Sequence, residues 1–260
     1  MAAQLNGEPV DGADLQTLAL VNYAHFTSMR VEDGRVRGLA LHLERLTRDC
    51  RTVFSAELDT DRVRELVRQV VDGASDPVIV RVTVFDPALE MGHPGADAAP
   101  QILVTARAAA AMSMAPLRVA TARFSRELPQ VKHTGLMTSL QQRRLAQRAG
   151  FDDAVFVDDA GFISEGVTWN IGFIDKDQVV WPTGEVLPGV TAALIAQCHN
   201  ASVSARVNAA ELHGLQAAFA TNVSYGARPI AAIDDVKFDA EHPLLGKLLN
   251  AYLQIPGDPL

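Results

Sequence analysis

The sequence predicts an α+β fold, and three features carry that reading. Strands of the second half are joined by short hairpin turns, at Asp158-Asp-Ala-Gly161 and Asp175-Lys-Asp-Gln178. Amphipathic helices occur at intervals and not after every strand. The regular strand–helix alternation of a doubly wound parallel sheet is missing.

Composition sets the outer bounds. The 260 residues suffice for one large domain or two modest ones. With 48% hydrophobic and 21% charged residues, the chain reads as soluble and globular. The net charge of −8 and the dispersed basic residues argue against nucleic acid or an anionic membrane as a partner. No apolar run reaches the ~18–20 residues that span a bilayer, and the N-terminus does not read as a signal peptide, so a cytoplasmic protein is expected. Cys50 and Cys198 lie in helix-like segments and read as buried free thiols. The seven histidines show no metal-ligand spacing, so no metal site is expected. Neither a Gly-x-Gly-x-x-Gly turn nor a Gly-Lys-Ser/Thr phosphate loop is present.

In chain order, Leu5-Asn6-Gly7-Glu8 and Glu32-Asp33-Gly34-Arg35 are hairpin-turn signals, with a strand over 26–31 between them. A helix follows over Leu39–Phe54, where Leu43, Leu46, Cys50 and Val53 form an apolar stripe and Arg45 lies off it. Thr60 is the expected cap of a second helix, which turns Val63, Leu66, Val67 and Val70 inward. The β-branched run Val78–Phe85 is a strand, 102–105 another, and the Gly- and Pro-rich stretch 87–100 the loop between them. Residues 108–116 read as a linker between a first domain at 1–107 and a second at 117–260. In the second, strands are expected at 117–122, 154–157, 162–163, 171–174, 179–181 and 217–221. Helices are expected at 137–149, 191–199 and 243–253.

Three pieces carry chemistry. Only four of the 23 basic residues are lysines: Lys132, Lys176, Lys237 and Lys247. Lys132 alone follows an apolar Leu-Pro-x-Val run and precedes a long helix. It is either a solvated surface lysine or a desolvated amine able to attack an aldehyde. Glu165 ends a strand before Gly166, as a surface acid or as a carboxylate facing a pyridinium nitrogen. Leu187-Pro-Gly189-Val190-Thr191 opens a helix, and its free N–H groups and dipole suit either ordinary capping or a phosphate dianion. Thr221 and Asn222 offer further donors. Arg45 and Arg81 offer charge, unless each forms a plain surface ion pair. A lysine, a carboxylate and a helix N-terminus together suit pyridoxal 5'-phosphate (PLP).

The order of these pieces resembles the class IV aminotransferases, the fold-type IV PLP enzymes. That group includes branched-chain and D-amino-acid aminotransferases, R-selective amine transaminases and aminodeoxychorismate lyase. The likeness runs from Leu5 to Pro229. It is most specific over Gly150-Phe-Asp-Asp-Ala-Val-Phe-Val-Asp-Asp-Ala-Gly-Phe-Ile-Ser-Glu-Gly-Val-Thr-Trp-Asn-Ile and Leu187-Pro-Gly-Val-Thr191. The resemblance implies a small N-terminal α/β sandwich domain, a larger C-terminal pseudo-barrel domain, a cofactor between them and a homodimer. It implies that Lys132 is the Schiff-base lysine and that Glu165 faces the pyridine nitrogen. Arg45, Val190, Thr191, Thr221 and Asn222 would hold the phosphate. Phe26, Thr27, Ser28, Arg81 and Met137 would face the substrate.

Some positions depart from the family pattern. Where the family reads Tyr-Gly-x-Gly-x-Phe-Glu-x-x-Arg, this chain reads Tyr23-Ala-His-Phe26-Thr27-Ser28-Met-Arg30. Phe-Thr-Ser-x-Arg, Lys132-His133 and Asn222 look closer to aminodeoxychorismate lyase. Met137 stands where branched-chain aminotransferases carry a tyrosine, which disfavours that substrate class. The leading expectation is a PLP-dependent aminotransferase acting on small amino and keto substrates through a lysine Schiff base. The alternative is a lyase releasing pyruvate from aminodeoxychorismate, with the Thr27 or Ser28 hydroxyl assisting the leaving group. A third reading is a degenerate member that keeps the fold and binds a partner.

Overall fold

A computed structural model describes residues 2–73 and 77–260. Strands and helices mix as the sequence predicts, in two compact units. One comprises Met1–Ala110, Val131–Gly135 and Pro256–Leu260, the other Ala111–Gln130 and Leu136–Ile255. The first changeover falls between Ala110 and Ala111. The second domain, expected as continuous over 117–260, is interrupted: Val131–Gly135 and Pro256–Leu260 go with the first unit. Hydrogen bonds cause both returns. Residues 132–134 pair with the strand Ala24–Glu32, and Asp258–Pro259 pairs with Arg35–Val36.

The first unit is a seven-stranded antiparallel sheet. Its strands are β1 (Ala2–Leu5), β2 (Glu8–Pro9), β3 (Ala24–Glu32), β4 (Arg35–Val36), β5 (Val78–Phe85) and β6 (Gln101–Ala108), with the C-terminal Asp258–Pro259 at the edge beside β4. Both turn signals act as read. Asn6 and Gly7 take φ of 51° and 99°, Asp33 and Gly34 51° and 67°, the left-handed pairs that tight hairpins require.

Helices α2 (Leu39–Phe54) and α3 (Thr60–Val71) share one core with Met29, Val31, Val80, Val82 and Val104. Asp59, not Thr60, caps α3: its carboxylate accepts from the Asp61 and Arg62 amides, satisfying two otherwise orphaned donors. A short helix α1 (Gln16–Leu20), with no buried residue of its own, has no apolar stripe to announce it. Because side chains alternate along β3, Thr27, Met29 and Val31 face the helices while Phe26, Ser28 and Arg30 face away.

The second unit is built on a curled, nine-stranded half-barrel. Its strands are β7 (Leu117–Arg123), β8 (Asp153–Val157), β9 (Ile163–Gly166), β10 (Asn170–Asp175), β11 (Gln178–Pro182), β12 (Ser202–Ala205), β13 (Ala217–Asn222), β14 (Gly226–Ile233) and β15 (Val236–Lys237). The order runs β12-β11-β10-β13-β14-β7-β8-β9, with β15 on β14. The two end strands approach each other: the Ile163 amide of β9 bonds the carbonyl of Val207, just after β12. Trp169, Phe173, Phe238 and Ile230 fill the inside. Helices α4 (Met137–Arg148), α5 (Val190–Gln197) and α6 (Pro243–Gln254) complete the unit.

The central strand β14 contains Pro229, which argues against a central strand in sequence. It is tolerated because pairing with β7 begins only at Ile230. Cys198 is exposed at the end of α5, contrary to expectation; Cys50 is buried. Among the described residues no helix is long and apolar enough to cross a membrane.

Candidate active site

In the first unit the site residues gather around β3 and one face of α2. The Lys132 carbonyl accepts from the Phe26 amide at 2.8 Å, and the Thr134 amide donates to the Ala24 carbonyl at 2.9 Å. Lys132 therefore lies opposite Phe26, and its Nζ sits 4.9 Å from the Phe26 ring centroid. Its amide donates to Asp49 Oδ2 at 2.9 Å. Arg81, directly across from Ser28 in the β3–β5 ladder, stacks its guanidinium 3.6 Å from the same Phe26 ring. Its Nε donates to Thr83 Oγ1, and burial lowers its pKa.

On the other face of β3, Thr27 is buried against α2. Arg45 Nη2 donates to Thr27 Oγ1, and the Thr27 hydroxyl lies 2.8 Å from His42 Nδ1. With Arg45 donating to its oxygen, the hydroxyl proton is directed at Nδ1, which leaves the His42 proton on Nε2. Burial, then the charges of Arg45 and Lys132, hold His42 neutral with a pKa well below the ordinary value. Arg45 is itself 6% exposed, and burial pushes it down to about 10, opposed by Asp49. Neither Arg45 nor Arg81 has a carboxylate within ion-pair distance among the described residues, so the surface ion-pair reading fails for both.

In the second unit Glu165 is 4% exposed. Its Oε1 accepts from Arg126 Nη1 at 2.9 Å in a buried ion pair, and its Oε2 lies 3.4 Å from Asn170 Nδ2. Asn170 also donates to the Leu187 carbonyl at 2.8 Å, which ties the Glu165 strand to the segment that opens α5. A Cβ at Gly189 would overlap Asn170 Oδ1, so any larger residue there must displace that side chain. In α5 the Ala193 amide returns to the Gly189 carbonyl, so the Val190, Thr191 and Ala192 amides precede the first intrahelical acceptor. Val190 and Thr191 are buried. Thr221 pairs with Asn170 across β10 and β13, and its hydroxyl donates to the Asn170 carbonyl. Asn222 accepts from the Ser224 amide and so is held within its own loop. The turn after Glu165 is locked by Trp169, which covers Gly166 and donates to Asp153, itself gripped by the Arg143 fork.

The structure thus groups Lys132, Phe26, Ser28 and Arg81 on one face of β3, and Thr27 with Arg45 on the other. Separately, Asn170 ties Glu165 and Thr221 to the segment that opens α5 with Val190 and Thr191, while Asn222 stays at the end of β13, bound within its own loop. Met137, 82% exposed at the start of α4, joins neither group. Sequence reasoning missed His42, Asp49, Arg126 and Asn170. The first two were traceable: with Arg45 they stand at i, i+3 and i+7, one helical face of polar residues.

The residues fit a phosphorylated cofactor on one direct observation. Arg45 Nε is buried with no hydrogen-bond partner, and among the described residues its Nη2 bonds only the neutral Thr27 and His42, an arrangement that an anion would complete. No cluster of metal-ligating side chains occurs among the described residues.

The sequence profile described as Amino-transferase class IV matches residues 24–233. A curated relative, branched-chain-amino-acid aminotransferase-like protein 2 of Arabidopsis thaliana, is 26% identical over 132 residues. That match takes in 48% of this chain and reaches only 24% of the relative's length. Among solved structures, the branched-chain aminotransferase of Escherichia coli superposes with a TM-score of 0.87 at 20% identity, covering 100% of this chain and 95% of that one. A provisionally named 4-amino-4-deoxychorismate lyase of Legionella pneumophila gives 0.84 at 22%, covering 95% and 96%. The T.th. branched-chain aminotransferase, solved with pyridoxamine 5'-phosphate, gives 0.85 at 18%, covering 97% and 93%. These structures establish the likeness of fold to the fold-type IV PLP enzymes.

Proposed function

The chain belongs to the class IV aminotransferases, and from that premise we propose that it is a PLP-dependent aminotransferase moving an amino group between an amino acid or amine and a 2-oxo acid. The observation that carries this reading is the buried Arg126–Glu165 pair. A carboxylate away from water, with one oxygen bound to a guanidinium, suits a cationic ring N–H. A solvated surface acid would need no such partner.

Lys132 Nζ is the attachment point for the cofactor. Arg45, Thr191 and the first amides of α5 would hold its phosphate, with Thr221 and Asn222 beside them, and Glu165 would hold the proton on its ring nitrogen. Bound PLP supplies an aldehyde for amines and a ring that withdraws electrons from the substrate carbon. Once released, Lys132 Nζ moves the proton at that carbon. Arg81, a partly desolvated cation stacked beside Lys132 on Phe26, suits a substrate carboxylate. In this reading the chain works as a homodimer on small amino and keto substrates.

The second reading, a lyase releasing pyruvate, is supported by Ser28, whose hydroxyl is on the Lys132 face of β3. Thr27, the other candidate for assisting a leaving group, faces α2 and is engaged by Arg45 and His42.

A screen of amino donors with pyruvate and 2-oxoglutarate, run beside aminodeoxychorismate, tests both readings. Amino transfer to a keto acid is expected; pyruvate from aminodeoxychorismate alone would favour the lyase. A protein with no visible cofactor band, or a borohydride-reduced adduct on a lysine other than Lys132, would overturn both.

A further inference from the structure

We propose that Asp49 is a positioning residue that sets Lys132 at a fixed distance from Arg45. The proposal rests on the PLP reading above and adds a residue to it.

Asp49 is 0% exposed, and its Oδ2 accepts the Lys132 main-chain amide at 2.9 Å. Its Oδ1 is held by Arg48 Nε and Nη2 at 3.0 and 2.7 Å, from a side chain still 42% exposed. Lys132 is thus gripped from two directions. Phe26 of β3 binds its carbonyl, and Asp49 of α2 binds its amide. An antiparallel neighbour would ordinarily take that amide through its carbonyl. A buried carboxylate is a costly substitute for a carbonyl. What it adds is a link from Lys132 to one turn of α2.

Arg45 stands four residues earlier on the same helix face. Helix geometry therefore separates the two anchor points by about 6 Å along the axis. One rigid element holds the backbone of the attachment lysine at one turn and the anion-gripping guanidinium at the turn before. The span of the bound cofactor between these two residues is then set by α2 and not by the loop that carries Lys132.

The test compares the parent with Asp49→Val and Asp49→Asn. Asn keeps an acceptor oxygen at the same place and removes the charge. Three measurements are made: hydrogen exchange at the Lys132 amide in the apo-protein, the rate at which added PLP becomes trapped on Lys132 by borohydride, and the affinity of the apo-protein for inorganic phosphate.

In Asp49→Val the amide should lose protection and trapping should slow by roughly ten- to a hundredfold, the worth of a charge-assisted hydrogen bond. Phosphate affinity should not fall, because Arg45 keeps its own contacts and the loss of the Asp49 charge beside it favours an anion. Asp49→Asn should recover roughly tenfold of the lost rate and keep the amide protected. Parent-like trapping in Asp49→Val, or an Asn variant as slow as Val, overturns the proposal. If Asp49→Val does not fold, loss of amide protection in Asp49→Asn overturns it. A parent protein that traps no PLP on Lys132 overturns the PLP reading and this proposal together.

Discussion

At the residue scale, the buried charges divide into those already paired and those that await a partner. Glu165 and Arg126 compensate each other. Replacing only one leaves the other buried without its counter-charge. Glu165→Gln should therefore lose most turnover while still attaching cofactor at Lys132. It should also lose up to about 3–5 kcal/mol of stability from the uncompensated Arg126 charge. The double variant Glu165→Gln/Arg126→Met should regain stability but not turnover. Urea titrations beside steady-state rates check this, and an active Glu165→Gln would remove Glu165 from its assigned role.

His25 is a residue of the opposite kind. Both ring nitrogens are buried without hydrogen-bond partners, and burial pushes its pKa down to about 4. An unfolded histidine titrates near 6.5, so between these values the unfolded chain binds a proton that the folded chain does not. Stability should therefore fall as pH drops from about 6.5 towards 4, by up to about 3 kcal/mol from His25, with buried His42 adding in the same direction. His25→Phe should reduce that slope, leaving the part that His42 contributes. Equal slopes for parent and variant in urea unfolding across this range would show that His25 does not stay neutral in the fold.

At the element scale, α5 depends on a contact its own sequence does not contain. Asn170 bridges Glu165, the Leu187 carbonyl and the space at Gly189 where a Cβ would otherwise stand. Gly189→Ala must push Asn170 aside. The expected cost is about 1–3 kcal/mol, as for other overpacked sites. PLP affinity should fall as well, because the α5 N-terminus and Glu165 are held by the same amide. Thermal denaturation with PLP titration measures both, and an Ala variant with parent-like affinity would show that α5 keeps its place without Asn170.

At the scale of the whole molecule, α4 presents Met137, Leu140 and Leu145 to solvent at 82%, 45% and 51% exposure. Apolar side chains concentrated on one exposed helix fit burial in an assembly better than free solvation. With the family premise, this gives the expectation of a homodimer at micromolar concentration. Sedimentation velocity decides it. A fully active monomer would contradict it, and Leu140→Glu should shift the distribution towards the monomer.

What the sequence determined is what local rules govern. Both hairpin turns of the first unit follow from Asn-Gly and Asp-Gly, which accept left-handed backbone. The inner face of α3 follows from its apolar spacing, and its four inward residues are the buried ones. Lys132 stood out because one apolar stretch separates it from three lysines in polar surroundings. Tertiary structure alone decided the partners. Asp49 and Lys132 are 83 residues apart, Arg126 and Glu165 39 apart, and no periodicity links either pair. Likewise, Thr27 and Ser28 were interchangeable until α2 covered one face of β3. Propensity and spacing act over a few residues, whereas the identity of a buried partner depends on which distant segment the packed core brings alongside.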